Sequence, residues 1–344
     1  MKTSMRLLQP LAAGAVLAVA LWASTPAAQA QGYVSGQLRD ELNRNTVSII
    51  TGTPSGTYLQ IAYDMSAVLD DGNALRVLPV LGKGSVQNVK DILHLKGIDM
   101  GIVQSDVMGY FKQTGELGRD IDRRLVYVTK LYNEEVHIIA GKGINSLRDL
   151  AGQQVNFAEQ GSGTQFSARQ IFKLLKMDVR EVNMGQTDAL LKIKNGEIAA
   201  TLFVAGRPAA VIKALAKDPD YKLLQVPFAA ELENDYLPAK FTAEDYPNLV
   251  EGGQAVETIA VGAVLAVYNW QEGSDRQRRV ISVVDKFFTK FAEFQKPPRH
   301  PKWKEVNLAA RLPGWNRLPA ATAWLDLHGQ IKRSAAPSAT GAGE

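Results

Sequence analysis

The sequence predicts an α/β fold built on a parallel sheet, and two patterns carry that prediction. Short apolar runs alternate with amphipathic stretches of about ten to fifteen residues, the spacing of strands joined by crossover helices. Glycine and hydroxyl residues then close three of the apolar runs, in 51–58 (TGTPSGTY), 103–106 (VQSD) and 158–164 (AEQGSGT). Such turns place backbone N–H groups and small hydroxyls at a helix N-terminus, where unpaired amides and the macrodipole favour an anion.

The elements follow in order. Residues 47–50 (VSII) read as a buried strand running into the first turn. From Tyr58 onward, Leu59, Ala62, Met65 and Leu69 share one helical face. Residues 76–80 form a second strand, and Val86, Val89 and Leu93 mark a helix expected to stop near Gly97. Residues 100–103 form the third strand. The unit of helix, glycine and strand recurs, once in 89–104 around Gly97 and once in 189–206 around Gly196. Between the copies, 125–129 and 135–140 are β-rich runs joined by a short polar link, extended segments suited to crossing between two lobes. The apolar stretch 258–270 is too short to span a bilayer and reads as a buried strand, with a return crossing near 257–261.

The first thirty residues read as an export leader. Lys2 and Arg6 form a basic start, 11–23 is an uncharged apolar run, and Ala28 and Ala30 supply the small residues of a cleavage site. The expected product is periplasmic and carries no membrane insertion after cleavage. The chain has no cysteine, which excludes a lipid-anchored cysteine and disulfides alike. Its net charge is +4, two units of which reside in the leader, so nothing in the balance calls for nucleic acid.

The order of motifs resembles the TAXI family, the extracytoplasmic solute receptors that work with TRAP-type membrane transporters. Residues 49–58 (IITGTPSGTY) look like its glycine-rich first motif, although Pro54 and Ser55 stand where the family is glycine-rich. Residues 84–89 (GSVQNV) with 98–106 (IDMGIVQSD) look like the second, and 131–137 (LYNEEVH), 161–164 (GSGT) and 236–239 (YLPA) follow in family order. The resemblance covers most of 46–270 and only loosely the part beyond 301. It implies a type II periplasmic-binding-protein fold with two crossovers and a ligand cleft between two lobes, a first lobe in two parts (31–135 and 257–333) and a second lobe (136–256). The leader (1–30) precedes them, and the small, polar tail (334–344) is expected to be disordered. It also implies a monomer that captures a small organic acid or amino acid and delivers it to TRAP membrane subunits.

Physical reasoning places the cleft beyond the carboxyl ends of the strands. Thr53, Ser55, Gly56, Thr57 and Tyr58 are expected on one wall, with Gln104, Ser105 and Asp106 beside them. Ser162, Gly163 and Thr164 are expected to face them, near Val204, Ala205 and Gly206, while Phe203 and Tyr236 join Tyr58 as apolar lining. Each Ser or Thr here also suits a helix N-cap, and the two roles can coincide. Arg169 and Arg207 are candidate counter-ions or surface pairs, and Asp106 and Glu135 are the carboxylates nearest the cleft.

Catalysis finds little support. Residues 82–85 (GKGS) lack the spacing of a phosphate loop, no G-x-S-x-G elbow occurs, and the four histidines have no metal-ligand spacing. No cofactor is expected. A receptor that reports to a sensor protein and an enzyme on the same two-lobe fold stay open as alternatives, because fold does not dictate function.

Overall fold

The computed structural model describes residues 36–329 apart from residue 73. The expected leader and the expected tail lie outside the described residues. A helix α1 (36–44) belongs to a separate unit ending at Asn45 and exposes Leu38 and Leu42 to solvent. Everything below concerns the unit that begins at Thr46.

Its first part runs β1 (Thr46–Ile50), α2 (Thr57–Leu69), β2 (Arg76–Val80), α3 (Ser85–His94), β3 (Met100–Gln104), α4 (Ser105–Thr114), α5 (Ile121–Arg124) and β4 (Leu125–Ala140). There follow β5 (Gln154–Asn156), α6 (Gly163–Leu174), β6 (Arg180–Val182), α7 (Gln186–Lys194), β7 (Ala200–Ala205), α8 (Ala210–Lys213), β8 (Lys222–Leu223) and β9 (Leu237–Thr242). The chain closes with β10 (Ala255–Tyr268), α9 (Asp275–Thr289), α10 (Phe291–Phe294), a 3₁₀ turn (Pro301–Glu305) and α11 (Pro319–Leu327).

The sheet order is β2-β1-β3-β10-β4-β7-β5-β6, which reads the same from either end if β3 is matched with β7, β1 with β5 and β2 with β6. The two outer thirds are parallel, as expected, but the sheet as a whole is mixed. β10 runs antiparallel to both β3 and β4, and β4 antiparallel to β7. Length explains this. The two β-rich runs expected around a polar link are one sixteen-residue strand, and Asn133 and Glu134 lie within it. Its first part pairs with β10 beside β3, and its last residues, Glu135 to Ala140, pair with β7. β10 passes the other way through both half-sheets.

Each half-sheet is covered on both faces. In the first half, α2 and α9 pack Ile61, Met65, Val283 and Phe287 on one face, while α3 and α4 pack Val89, Ile92, Met108 and Phe111 on the other. In the second half, α6 buries Ala168, Ile171 and Phe172, and α7 buries Ala189, Leu190 and Ile193. The buried stripe of α2 is Tyr58, Ile61, Ala62, Met65 and Leu69, so Leu59, expected in it, lies at its margin. Asp64 is drawn into the same face because it accepts hydrogen bonds from Trp303 Nε1 and the His300 amide, both at 2.9 Å. α3 stops at His94, earlier than expected, and Gly97 takes positive φ in the turn into β3.

Candidate functional site

Four helix N-termini converge on one small cavity. From the first half-sheet come α2 with Gly56, Thr57 and Tyr58, α3 with Gly84 and Ser85, and α4 with its capping residue Gln104. From the second half-sheet comes α6 with Ser162, Gly163 and Thr164. Phe203 and Val204 of β7 and Glu134 of β4 complete the lining, with Gly52, Thr53, Lys83, Ala158 and Glu159 around them. Each helix starts here because strand, glycine or hydroxyl turn, and helix follow one another in sequence, which puts the turns at the carboxyl ends of β1, β2 and β3.

The cavity holds about 40 Å³, little more than a water molecule's share of liquid volume. It is small because the walls touch. Thr57 Oγ1 donates to the Gly206 carbonyl at 3.1 Å, the Gln87 amide to the Gly161 carbonyl at 3.1 Å, and Ser167 Oγ to Asp106 Oδ2 at 2.7 Å. Gly163 makes the approach possible, since a Cβ there would overlap Gln104 Oε1 and come within 2.7 Å of Ser85 Oγ. Gly84 answers it from the other wall, with φ +115° and only 3.3 Å from its would-be Cβ to the Gly163 nitrogen. A solute of amino-acid size enters only when these walls part.

A hydrogen-bond chain runs along the first wall. The Gln104 amide donates to Ser85 Oγ at 3.0 Å, Ser85 Oγ lies 3.1 Å from Tyr58 Oη, and Tyr58 Oη donates to Glu134 Oε2 at 2.7 Å. Burial raises the pKa of Glu134 to about 8; the bond from Tyr58 pulls it back while the charges of Glu135 and Asp106 push it further up. Burial and the neighbouring Glu134 likewise hold the Tyr58 hydroxyl well above its usual range. Gln104 Oε1 is buried with no donor within reach.

Of the residues expected at the site, Thr53, Gly56, Thr57, Tyr58, Gln104, Ser162, Gly163, Thr164, Phe203 and Val204 line this cavity. Several of their hydroxyls also bind the protein itself. Ser162 Oγ caps α6 by accepting from the Gln165 amide, and Thr164 Oγ1 accepts from the Val204 amide. The other expected residues lie elsewhere. Ser55 sits on an outer groove with Pro208 and His300. Ser105 packs against Gly262 of β10. Ala205 is buried among Phe203, Ile212 and Tyr246, and Gly206 joins the contact between walls through its carbonyl and by packing closely on Thr57, Tyr132 and Lys302. Asp106 and Tyr236 turn to each other: Asp106 Oδ2 accepts from Tyr236 Oη at 3.2 Å as well as from Ser167, which ties the two half-sheets behind the cavity. Burial raises the pKa of Asp106 to about 6, against the pull of those bonds.

Neither candidate arginine faces the cavity. Arg169 pairs with Glu181 at 2.6 Å on the surface, and Arg207 with Glu135 and Asp245, each at 3.1 Å. Glu135 is further claimed by the buried Lys302 at 2.6 Å. Glu134 and Ser85 were missing from the expected set. Ser85 begins the helix after the second strand, so its position in a turn was visible, whereas Glu134 enters through strand register. Larger hollows exist, including one of about 840 Å³ beside Leu147, Leu224 and Val256, but no buried titratable side chain lines it.

The sequence model of the NMT1-like family matches residues 49–278, two thirds of the chain. Among solved structures, periplasmic binding protein BugD is similar at 11% identity over 83% of this chain and 97% of that one, with a TM-score of 0.50. A periplasmic transporter protein is 14% identical over 74% of this chain and 84% of that one, TM-score 0.49. The effector-binding domain of BenM with benzoate is 13% identical over 74% and 96%, TM-score 0.43. At such identities the likeness concerns fold alone, and that fold is the mixed α/β type II periplasmic-binding-protein fold. Among the described residues no helix is long and apolar enough to cross a membrane.

Proposed function

The chain belongs to the NMT1-like family, and from that premise we propose that it is the extracytoplasmic solute-binding receptor of a TRAP-type transporter, of the TAXI kind its motifs resemble. It captures a small carboxylate, an amino acid or a dicarboxylate, by closing two lobes around it. The lobes are 46–135 with 257–329, and 136–256, and β4 and β10 are the crossings between them. One observation carries this: helix N-termini from both half-sheets meet at a single small cavity. Unpaired amides aimed at one point from two separable walls bind an anion and reward closure. Placement outside the inner membrane rests on the leader read at 1–30.

A thermal-shift screen of amino acids and organic acids tests the binding claim. A true ligand at about 1,000 times its Kd adds about 4 kcal/mol of stability, an easily visible shift. Stabilisation by one compact class of carboxylates is the expected result, and no shift with any of them contradicts it. The transport claim is checked separately, by co-purification with the membrane subunits of a TRAP transporter; a sensor kinase retained in their place contradicts it.

A further inference from the structure

Two acceptors in the cavity lack the partner their chemistry requires. Glu134 is 2% exposed and, among the described residues, its carboxyl receives one hydrogen bond, from Tyr58 Oη. No cation pairs with it. Lys302 Nζ, the nearest buried ammonium, is held by Glu135 at 2.6 Å and Glu305 at 2.8 Å, and Lys83 on the cavity rim is exposed. Gln104 Oε1, from a side chain 2% exposed, has no donor among the described residues and faces Gly163 across the cavity. A buried carboxyl that can ionise only without a counter-charge and a buried amide oxygen without a donor are each costly. The internal donors cannot help, because the chain Gln104 amide, Ser85, Tyr58 already ends on Glu134.

We infer that Glu134 and Gln104 Oε1 together receive a protonated amine of the solute, so that the receptor prefers amino acids to nitrogen-free acids. This rests on the receptor role proposed above and narrows its ligand class. The carboxylate of the solute lies toward the helix N-termini, and its ammonium supplies N–H donors and a positive charge to Glu134. A second carboxylate at that end finds no partner cation among the described residues, and it disfavours ionisation of Glu134, with Asp106 and Glu135 behind it. The groups around Glu134 are Tyr58 from α2, Tyr132 and Glu135 from β4, Asp106 from α4, Lys302 from the 3₁₀ turn and Glu159 on the rim; the raised pKa of Glu134 fits this predominantly acidic setting.

Calorimetry with L-glutamate, L-glutamine and L-alanine against 2-oxoglutarate, glutarate and pyruvate tests the inference, with putrescine as an amine lacking a carboxylate. The protein is expected to bind an amino acid at least tenfold more tightly than its nitrogen-free counterpart. Near pH 7 that binding releases a proton, as the ammonium ionises Glu134. Glu134→Gln is expected to lose roughly 10- to 100-fold in affinity for the amino acid. It should retain or improve binding of the nitrogen-free acids, which shows that the variant is folded. Equal affinity for both classes, no proton release with an amino acid near pH 7, or an unaffected Glu134→Gln overturns the inference and leaves the receptor role standing. Binding of none of these compounds overturns both. Preference for putrescine upholds the amine site and removes the carboxylate half of the proposed function.

Discussion

Glu134 and Glu135 are neighbours in sequence and opposites in environment. A strand sends successive side chains to opposite faces, so one carboxyl meets Tyr58 at the cavity and the other meets Lys302 and Arg207. The glycine and hydroxyl turns were legible because turn chemistry is local; Glu134 was not, since only the register of a long strand places it. Its pKa leads to a stability prediction. The folded value, about 8, exceeds the unfolded value of about 4.3, so the folded protein binds the extra proton. Stability from this group is therefore fully present below about pH 4.3 and is lost as pH rises through about 8. Glu134→Gln, which cannot ionise, is expected to gain on the native protein in melting temperature from pH 5 to pH 8.5 and then level off. A difference in melting temperature that stays constant across this range contradicts the assignment. Gly163 supplies the second residue-scale test. In Gly163→Ala the added methyl strikes Gln104 and Ser85 only in the closed arrangement. Overpacking of about 1–3 kcal/mol is expected to weaken ligand binding roughly 5- to 100-fold, with the ligand-free melting temperature nearly unchanged. Unchanged affinity in calorimetry separates this contact from ligand capture.

At the scale of elements, β4, the segments that follow β7 and β9, and the 3₁₀ turn Pro301–Glu305 meet in one ionic cluster. Lys302 is 1% exposed and bridges Glu135 and Glu305, while Arg207, just beyond β7, holds Glu135 and Asp245. Burial still keeps Glu135 above the usual carboxylate range, so the cations compensate for its desolvation only in part. Lys302→Met removes the closest of them. Breaking a buried pair costs about 3–5 kcal/mol, and the retained Arg207 puts the expected loss near the lower end, measured by urea unfolding. Adding Glu135→Gln should restore part of it; a Lys302→Met protein as stable as the native one contradicts a structural role for the pair. Arg207 and Glu135 stood out as charged candidates, but Lys302 did not, because the part beyond 301 matches the motifs only loosely and Lys302 reads as an ordinary surface lysine. The strands and helices before it were more legible, being set by apolar periodicity. The polar residues inside β4 hid its continuity, since Asn133 and Glu134 look like a link until both neighbours, β10 and β7, are in place.

For the whole molecule, the alternation of strands and helices indicated an α/β fold, and the order of motifs indicated its type. Antiparallel crossings were not legible as such, because strand direction depends on which half-sheet receives each end. In the proposed receptor, the sheet, symmetric in order about β10 and β4, supplies two walls that would part while both crossing strands stay intact. Contacts between the walls include the hydrogen bonds of Thr57 with Gly206 and of Asp106 with Ser167 and Tyr236, and the edge-on packing of Tyr110 against Phe166. Closure therefore depends on what lies between them. Small-angle X-ray scattering of the protein with and without a saturating amino acid identified by the thermal screen tests this most directly, with the solute recovered afterwards for mass analysis. The expected result is a smaller radius of gyration with ligand and a chemically unchanged solute. An unaltered radius of gyration together with conversion of the solute contradicts capture by closure.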